Sequence, residues 1–455
     1  MSLLLSLDPP EIVLPPRGEP QVAYALVTLA AGAAGGAAPI SWAVVADASR
    51  SMRIPIVSEE QFRQLVRSGD AQEVLVDGVP VWQLAGPVPE EIRASAPSAI
   101  DHTVRALNSI VERLDRADHF ALVACAETAL ALVPATSGDQ RSPISAGLAR
   151  LRSLRLGEET DLAAGLRLAL AELAHAGGAD AVRRIILITD GFTRDAEACL
   201  ALARTAAGRG IAVSTLGLGG EFQDDLLTRL ADLGGGRATF LRRPDEIPAA
   251  VAAELDAARG TAARALALEL ALPAGTTLRR ATRVAPDLAP LEPAGDDPRR
   301  PGLRLGDLPR GAEVRVLLEL LAPPVPPRAP GGVARRRLAE LTATSGAAAA
   351  RADLVLRYDP TPAPPSPALL VAAGRASVAQ LQLRAARAVA AGDPASAAAA
   401  LRAAAARLHD LGRPDLAAAA LREADALAAT GRGTGVGAKE LTYATRRLSE
   451  HEAGP

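Results

Sequence analysis

Three oxygen-bearing side chains stand at alternate positions where an apolar run ends: Asp47, Ser49 and Ser51, in WAVVADASRSM, residues 42–52. A carboxylate and two neutral hydroxyls on one turning loop are ligands for a hard cation. Mg²⁺ takes about six oxygens at ~2.1 Å in an octahedron and gives up water reluctantly. Two more oxygens of this kind lie far along the chain, Thr160 in GEETDLAAGL and Asp190 in IILITDG. Two carboxylates only balance a divalent charge, and hydroxyls add none. A cation held by this set would keep its attraction for a further acidic ligand. The same hydroxyls also suit helix caps, and Asp-Gly suits a turn. The chemistry therefore depends on the elements that carry the three segments.

Those elements alternate. ISWAVVA (40–46) is a continuous apolar run of the sort buried on both faces of a parallel sheet. SAIDHTVRALNSIVERL (98–114) has helical spacing, HFALVACAE (119–127) is a strand, and TALALVP is its partner. A strong helix follows in TDLAAGLRLALAELAHAG (160–177), then the buried strand RRIILITDG (183–191). Three further helices and two strands continue the rhythm to about residue 257. Such βαβα order builds an open, mainly parallel, doubly wound sheet, whose C-terminal strand ends share one edge. Asp47, Thr160 and Asp190 can all meet there.

DASRSM, the Thr of EETDLAAGL and the Asp of LITDG, in that order and placement, resemble the metal-ion-dependent adhesion site of von Willebrand factor type A domains. The resemblance covers residues 38–256. It implies that Asp47, Ser49, Ser51, Thr160 and Asp190 hold Mg²⁺ or Mn²⁺, the hydroxyls largely directly and one or both carboxylates through water. A Glu or Asp of a protein partner would fill an open position. Two departures stand out. Arg50 occupies the place where the family commonly has Gly, and residues 53–96 delay the helix that usually follows the serines. Within that insertion EVLVDGVPVWQL is a hairpin about Asp77-Gly78. Because the insertion leaves directly from the metal loop, Arg50 and Trp82 are the partner-binding candidates. A lid and simple packing of Trp82 on the domain are both open.

Around this unit the expected organisation is a discontinuous β-sandwich. Residues 1–38 supply its first strands, 39–257 form the inserted type A unit, and 258–359 complete the sandwich. PTPAPPSP (360–367) is a linker. From 368 to 455 an Ala/Leu/Arg-rich tail forms helical hairpins, punctuated by Gly392/Pro394 and Gly412/Pro414. GRGTGVGAKE (431–440) is expected to be a flexible connection before a final helix. GLGLGGEF fails as a dinucleotide loop because Phe222 takes the third glycine position.

Composition narrows the function. The 455 residues carry Lys+Arg 50 against Asp+Glu 52, and only 2% are aromatic, which disfavours a globally basic nucleic-acid binder and removes base-stacking platforms. Cys125 and Cys199 sit in no metal-binding or disulfide pattern. The uncharged stretch 22–46 has a Gly/Ala-rich middle and is read as two strands rather than a membrane span. The N-terminal stretch does not read as a signal peptide, so a cytoplasmic, bacterial multidomain scaffold is the expectation. A metal-dependent hydrolase or phosphoryl-transfer enzyme is the rival reading. The motif segments bring no His or Lys for it, no cofactor motif is present, and no catalytic residue is assigned. A third reading keeps the fold with a degenerate, metal-free site.

Overall fold

The computed structural model describes residues 5–32, 38–76, 79–86, 89–178, 180–220, 222–324, 335–362 and 364–448. The Gly/Ala-rich centre of the uncharged stretch and the Asp77-Gly78 turn lie outside them. Strands β1 (Leu5–Asp8), β2 (Ile12–Leu14) and β3 (Gln21–Ala31) open the chain. The α/β unit follows with β4 (Ile40–Asp47), α1 (Glu59–Ser68), β5 (Ala71–Val76), β6 (Val79–Leu84), α2 (Glu90–Ser95) and α3 (Ala99–Val111). It continues with β7 (His119–Cys125), β8 (Ala129–Ser137), α4 (Arg141–Ser153), α5 (Leu162–Ala174), β9 (Val182–Thr189) and α6 (Ala196–Gly208). It closes with β10 (Ile211–Leu218), α7 (Asp224–Gly234), β11 (Gly235–Leu241) and α8 (Ile247–Arg259).

The six strands of this unit lie in the order β11-β10-β9-β4-β7-β8, parallel except for β8. β4 is central, and every residue of it is buried. Its alternating side chains serve two cores, Trp42, Val44 and Ala46 on one face and Ala43 and Val45 on the other. Burying each large apolar side chain is worth about 1.5–3 kcal/mol, which is why this run carries no polar residue between Ser41 and Asp47. The chain runs from β4 to β7 on one side and returns to β9 on the other. The switch point therefore lies at the C-terminal ends of β4 and β9.

α5 must lie close to the sheet. A Cβ on Gly165 would come within 2.7 Å of Val45 Cγ1 and 3.0 Å of Cys125 Cβ. That contact presses the start of α5, and the residues just before it, onto the switch-point edge.

Beyond α8 come β12 (Thr261–Ala271), β13 (Thr277–Ala285), β14 (Ala289–Leu291), β15 (Gly302–Pro309), β16 (Glu313–Ala322), β17 (Arg335–Ser345) and β18 (Ala348–Tyr358). They form two five-stranded sheets, β1-β3-β16-β13-β14 and β15-β12-β17-β18-β2. The α/β unit is thus inserted in a sandwich between β3 and β12. Buried Arg184 of β9 bonds Glu254 of α8 at 3.3 Å and Asp307 of β15 at 3.0 Å, tying the two units together. The tail is all-α: α9 (Pro367–Ala390), α10 (Pro394–Asp410), α11 (Pro414–Thr430) and α12 (Val436–Arg446). Gly392 and Gly412 take positive φ, 72° and 73°, and Pro394 and Pro414 open the next helices.

The final connection differs from expectation. Lys439 lies inside α12, buried, and its Nζ donates to the carbonyls of Gly220 at 2.8 Å and Phe222 at 2.6 Å. α12 packs both ways: Tyr443 joins the second core of the α/β unit, and Leu441 and Ala444 join the core of the tail.

Candidate metal site at the switch-point edge

β4 ends in Asp47, and the ladder runs one step further through a 2.7 Å bond from the Ala48 amide to the Cys125 carbonyl. The loop then turns through a single 3₁₀ turn, Ser51–Arg53. Asp47 and Ser49 are buried, and Ser51 is exposed. Thr160 is buried just ahead of α5, whose cap is Asp161: its Oδ1 accepts from the Ala164 amide at 2.9 Å. Thr160 also pairs in a parallel bridge with Thr193, whose hydroxyl accepts from the Leu162 amide at 3.1 Å. Asp190 follows the last residue of β9 and is half-buried.

All five oxygens of the sequence motif come together in one hydrogen-bonded group. The Thr160 hydroxyl lies 3.3 Å from both Asp47 oxygens, longer than an ordinary O–H···O bond. Ser51 donates to Asp190 Oδ1 at 2.7 Å. Its one proton is spent there, so in the 3.1 Å contact between the two serines Ser49 is the donor. The Ser49 amide donates to Asp47 Oδ1 at 2.9 Å. A sixth member escapes the motif reading: Thr189 donates to Asp47 Oδ2 at 2.6 Å and accepts from the Gly191 amide at 3.2 Å. Its signal was a hydroxyl directly after the aliphatic run IILI of β9, which a β-former explains equally well.

Asp47 is a carboxylate with zero exposure whose hydrogen-bond donors are all neutral. Burial pushes its carboxyl above the ordinary range, against the hydrogen bonds from Thr189, Ser49 and Thr160. Among the described residues it has no salt bridge. A buried charge of this kind calls for a counter-ion. Gly191 keeps space in front of it, since even a Cβ there would stand 3.9 Å from Asp47 Oδ2 and Thr160 Oγ1. The donor set is all oxygen, with two carboxylates, and fits a hard divalent cation.

The surroundings are mixed. Arg50 reaches Glu158 at 3.4 Å, both side chains about three-quarters exposed at 77% and 74%. Phe192, two residues past Asp190, is 59% exposed, and Ile54 is 57% exposed. Neither stands out in the motif, although an aromatic two residues past the motif aspartate is conspicuous in so aromatic-poor a chain. Trp82 sits on the insertion, 49% exposed, edge-on to Phe62 with centroids 5.3 Å apart. The insertion has its own small core of Leu65, Ala71, Ile92 and Ala96. Trp82 therefore packs within the insertion.

The doubly wound sheet has the fold of von Willebrand factor type A domains, and this chain carries a domain that matches that family. Residues 90–192 match the von Willebrand factor type A domain family, and residues 367–451 match the family described as Sll0103-like, C-terminal alpha-helical domain. The first match begins after most of the insertion, so Asp47, Ser49 and Ser51 lie ahead of it and are joined to Thr160 and Asp190 by geometry. Uncharacterized protein sll0103 of Synechocystis is 27% identical over 139 residues, 30% of this chain and 32% of that protein. Uncharacterized protein YfbK of Escherichia coli is 26% identical over 140 residues, 30% of this chain and 24% of that protein. The match thus spans a third or less of the length of these relatives. Among solved structures, a von Willebrand factor type A protein from Catenulispora acidiphila superposes with a TM-score of 0.72 at 18% identity, over 97% of this chain and 96% of that one. The ArnB paralog VWA2 from Sulfolobus acidocaldarius gives 0.54 at 14% identity, over 99% of each chain. These two share the fold across the sandwich and tail as well as the type A unit.

Proposed function

We propose that this chain is a divalent-metal-dependent protein-binding module that serves as a scaffold in an intracellular complex. The observation that carries the reading is Asp47, a fully buried carboxylate held only by neutral donors at an edge where four other motif oxygens converge. Asp47 and Asp190 would supply the charge for Mg²⁺ or Mn²⁺, and Ser49, Ser51 and Thr160 the neutral oxygens. The bound cation would supply an electrophilic position that takes a Glu or Asp carboxylate from a partner. Thr189 fixes the Asp47 carboxylate, and the Ser49–Ser51–Asp190 relay orients the hydroxyl lone pairs. Phe192 and Ile54 add exposed apolar surface next to the site, as a protein interface needs at its centre.

The same features favour binding over catalysis. The motif segments bring no His or Lys, and Ser49 stands where the DxD pair of many phosphoryl-transfer sites has its second Asp, which supports binding. A second reading, the fold with a metal-free site, draws support from the bonds at 2.6 and 2.7 Å by which Thr189 and Ser51 already engage the two carboxylates. Affinity capture separates the two. Wild type with Mg²⁺ is expected to retain a partner that EDTA releases and Asp190→Ala never takes up. A partner set indifferent to chelator and to the substitution would leave the metal-dependent reading without support.

A further inference from the structure

Next to the metal edge lies a solvent-open cleft of about 480 Å³, and Arg50, Arg53, Arg152 and Arg155 all line it. Its one lining carboxylate is Asp101, so the cleft is net positive. Arg50 lines the cleft and stands between the two motif serines in the chain, so the cleft begins one residue from the candidate metal site. The four guanidiniums are poorly neutralised. Arg53 donates to the carbonyls of Ala48, Leu151 and Arg152, and Arg155 to those of Arg152, Ser153 and Leu154; neither has an ion pair among the described residues. Arg152 bonds Asp101 at 3.2 Å, with the two side chains 53% and 38% exposed. Among the described residues Arg50 pairs with the exposed Glu158 alone. The Arg53 bonds pin the insertion's first residue to the domain at this spot, so the charge is held in place.

We infer that this cleft is a second acid-binding subsite, and that the partner offers an acidic peptide segment with at least two carboxylates, one for the metal position and one or more for the arginines. The inference rests on the metal-dependent reading above. A concave surface lined by one sign of charge focuses its field outward. The cleft is not a ready phosphate cradle. The one helix N-terminus on its wall, that of α3, is closed by its own capping box, with the Ser98 amide donating to Asp101 at 3.0 Å and the Asp101 amide donating to Ser98 Oγ at 3.3 Å. What remains is guanidinium charge spread along a cleft, which suits side-chain carboxylates on a flexible segment. It also gives Arg50 a use where the family commonly has Gly: the bulky cation extends the acidic recognition of the metal into the cleft.

The test uses the full chain and two fluorescein-labelled peptides, one of six glutamates and one with a single glutamate in a Gly/Ser background. Anisotropy is read at low ionic strength, where surface fields are least screened. With Mg²⁺, the six-glutamate peptide is expected to bind about tenfold or more tighter than the single-glutamate one, a free-energy gain of ~1.4 kcal/mol. Arg152→Ser/Arg155→Ser should erase that gain while the Mg²⁺ thermal shift persists, and Arg152→Lys/Arg155→Lys should restore most of it. Arg53 is left in place because its three carbonyl bonds hold the loop. Equal binding of the six-glutamate peptide by wild type and the serine variant, with Mg²⁺ dependence intact, would overturn the subsite and spare the metal reading. Arginine-dependent binding that ignores Mg²⁺ and Asp190→Ala would instead remove the metal reading and keep an anion cleft. No binding of the six-glutamate peptide, or its displacement by tripolyphosphate at far lower concentration, would overturn the acidic-segment assignment.

Discussion

Asp47 concentrates the chemistry of this protein in one side chain. Its charge is buried and its donors are neutral, so without a cation it costs the fold stability. Asp47→Asn removes the charge and keeps most of the shape. Its melting temperature in EDTA should match or exceed that of wild type, and Mg²⁺ should leave it unmoved; a metal-free variant melting well below wild type would mean the carboxylate is already compensated. Phe192→Ala tests the rim. The side chain is 59% exposed, so stability should change by less than about 0.5 kcal/mol while partner retention falls. Retained capture would remove Phe192 from the interface. At this scale the sequence was legible for the five motif oxygens, because spacing and strand ends are both written in it. Thr189 was not, since a threonine ending a strand is ordinary. Phe192 was not, because only the fold shows that its ring faces outward.

The elements matter through how closely they press on the sheet. Gly165→Val would force two methyls into Val45 and Cys125, overpacking that costs about 1–3 kcal/mol. Because Thr160 lies just ahead of α5 and its cap Asp161, the Mg²⁺ thermal shift should shrink with it. A variant that is destabilised yet keeps the full Mg²⁺ shift would uncouple the helix from the site. The strand–helix alternation is legible in the sequence, but RSPISAGLARLRS, which forms α4, carries no assignment there. Pro143 is harmless in its first turn. Gly147 is where the helix touches β8: a Cβ there would meet Val133 Cγ2 at 2.3 Å and the Leu132 carbonyl at 2.8 Å. Gly147 is therefore a positional requirement of packing, which local spacing does not reveal. The insertion was legible as a hairpin, but its helices α1 and α2 and its private core around Leu65 were not.

Across the whole molecule, the tail closes the architecture. Arg446 of α12 bonds both oxygens of Asp232 on α7, one at 3.0 Å, and lies 3.8 Å from Asp287, which also bonds Arg283 at 2.9 Å. One buried charge cluster therefore joins the tail, the α/β unit and the sandwich. Apart from the local Arg283–Asp287 pair, no sequence spacing announces it, because Arg446 lies 214 residues from Asp232 and each alone resembles a surface charge. Arg446→Met should destabilise the protein by about 3 kcal/mol, because Asp232 would stay buried without its partner; a loss below about 1 kcal/mol would mean that water replaces it. Burial alone would push the Asp287 carboxyl up, but Arg283, Arg446 and Arg237 outweigh it and hold it below the ordinary range. A depressed carboxyl contributes stability above its unfolded pKa, about 3.9, and that contribution is lost as pH falls through its folded value. Urea midpoints of wild type and Asp287→Asn should accordingly differ most at neutral pH and converge below about pH 4. A gap that stays constant with pH would assign the effect to packing.

The most direct test is calorimetric titration of Mg²⁺ into the EDTA-treated, dialysed full chain. Saturable binding of one ion per chain in wild type, absent in Asp47→Asn, is the predicted result; at a hundredfold excess over Kd it would stabilise the fold by about 2.7 kcal/mol. No binding in wild type, or the same binding in Asp47→Asn, would contradict a working metal site at this edge.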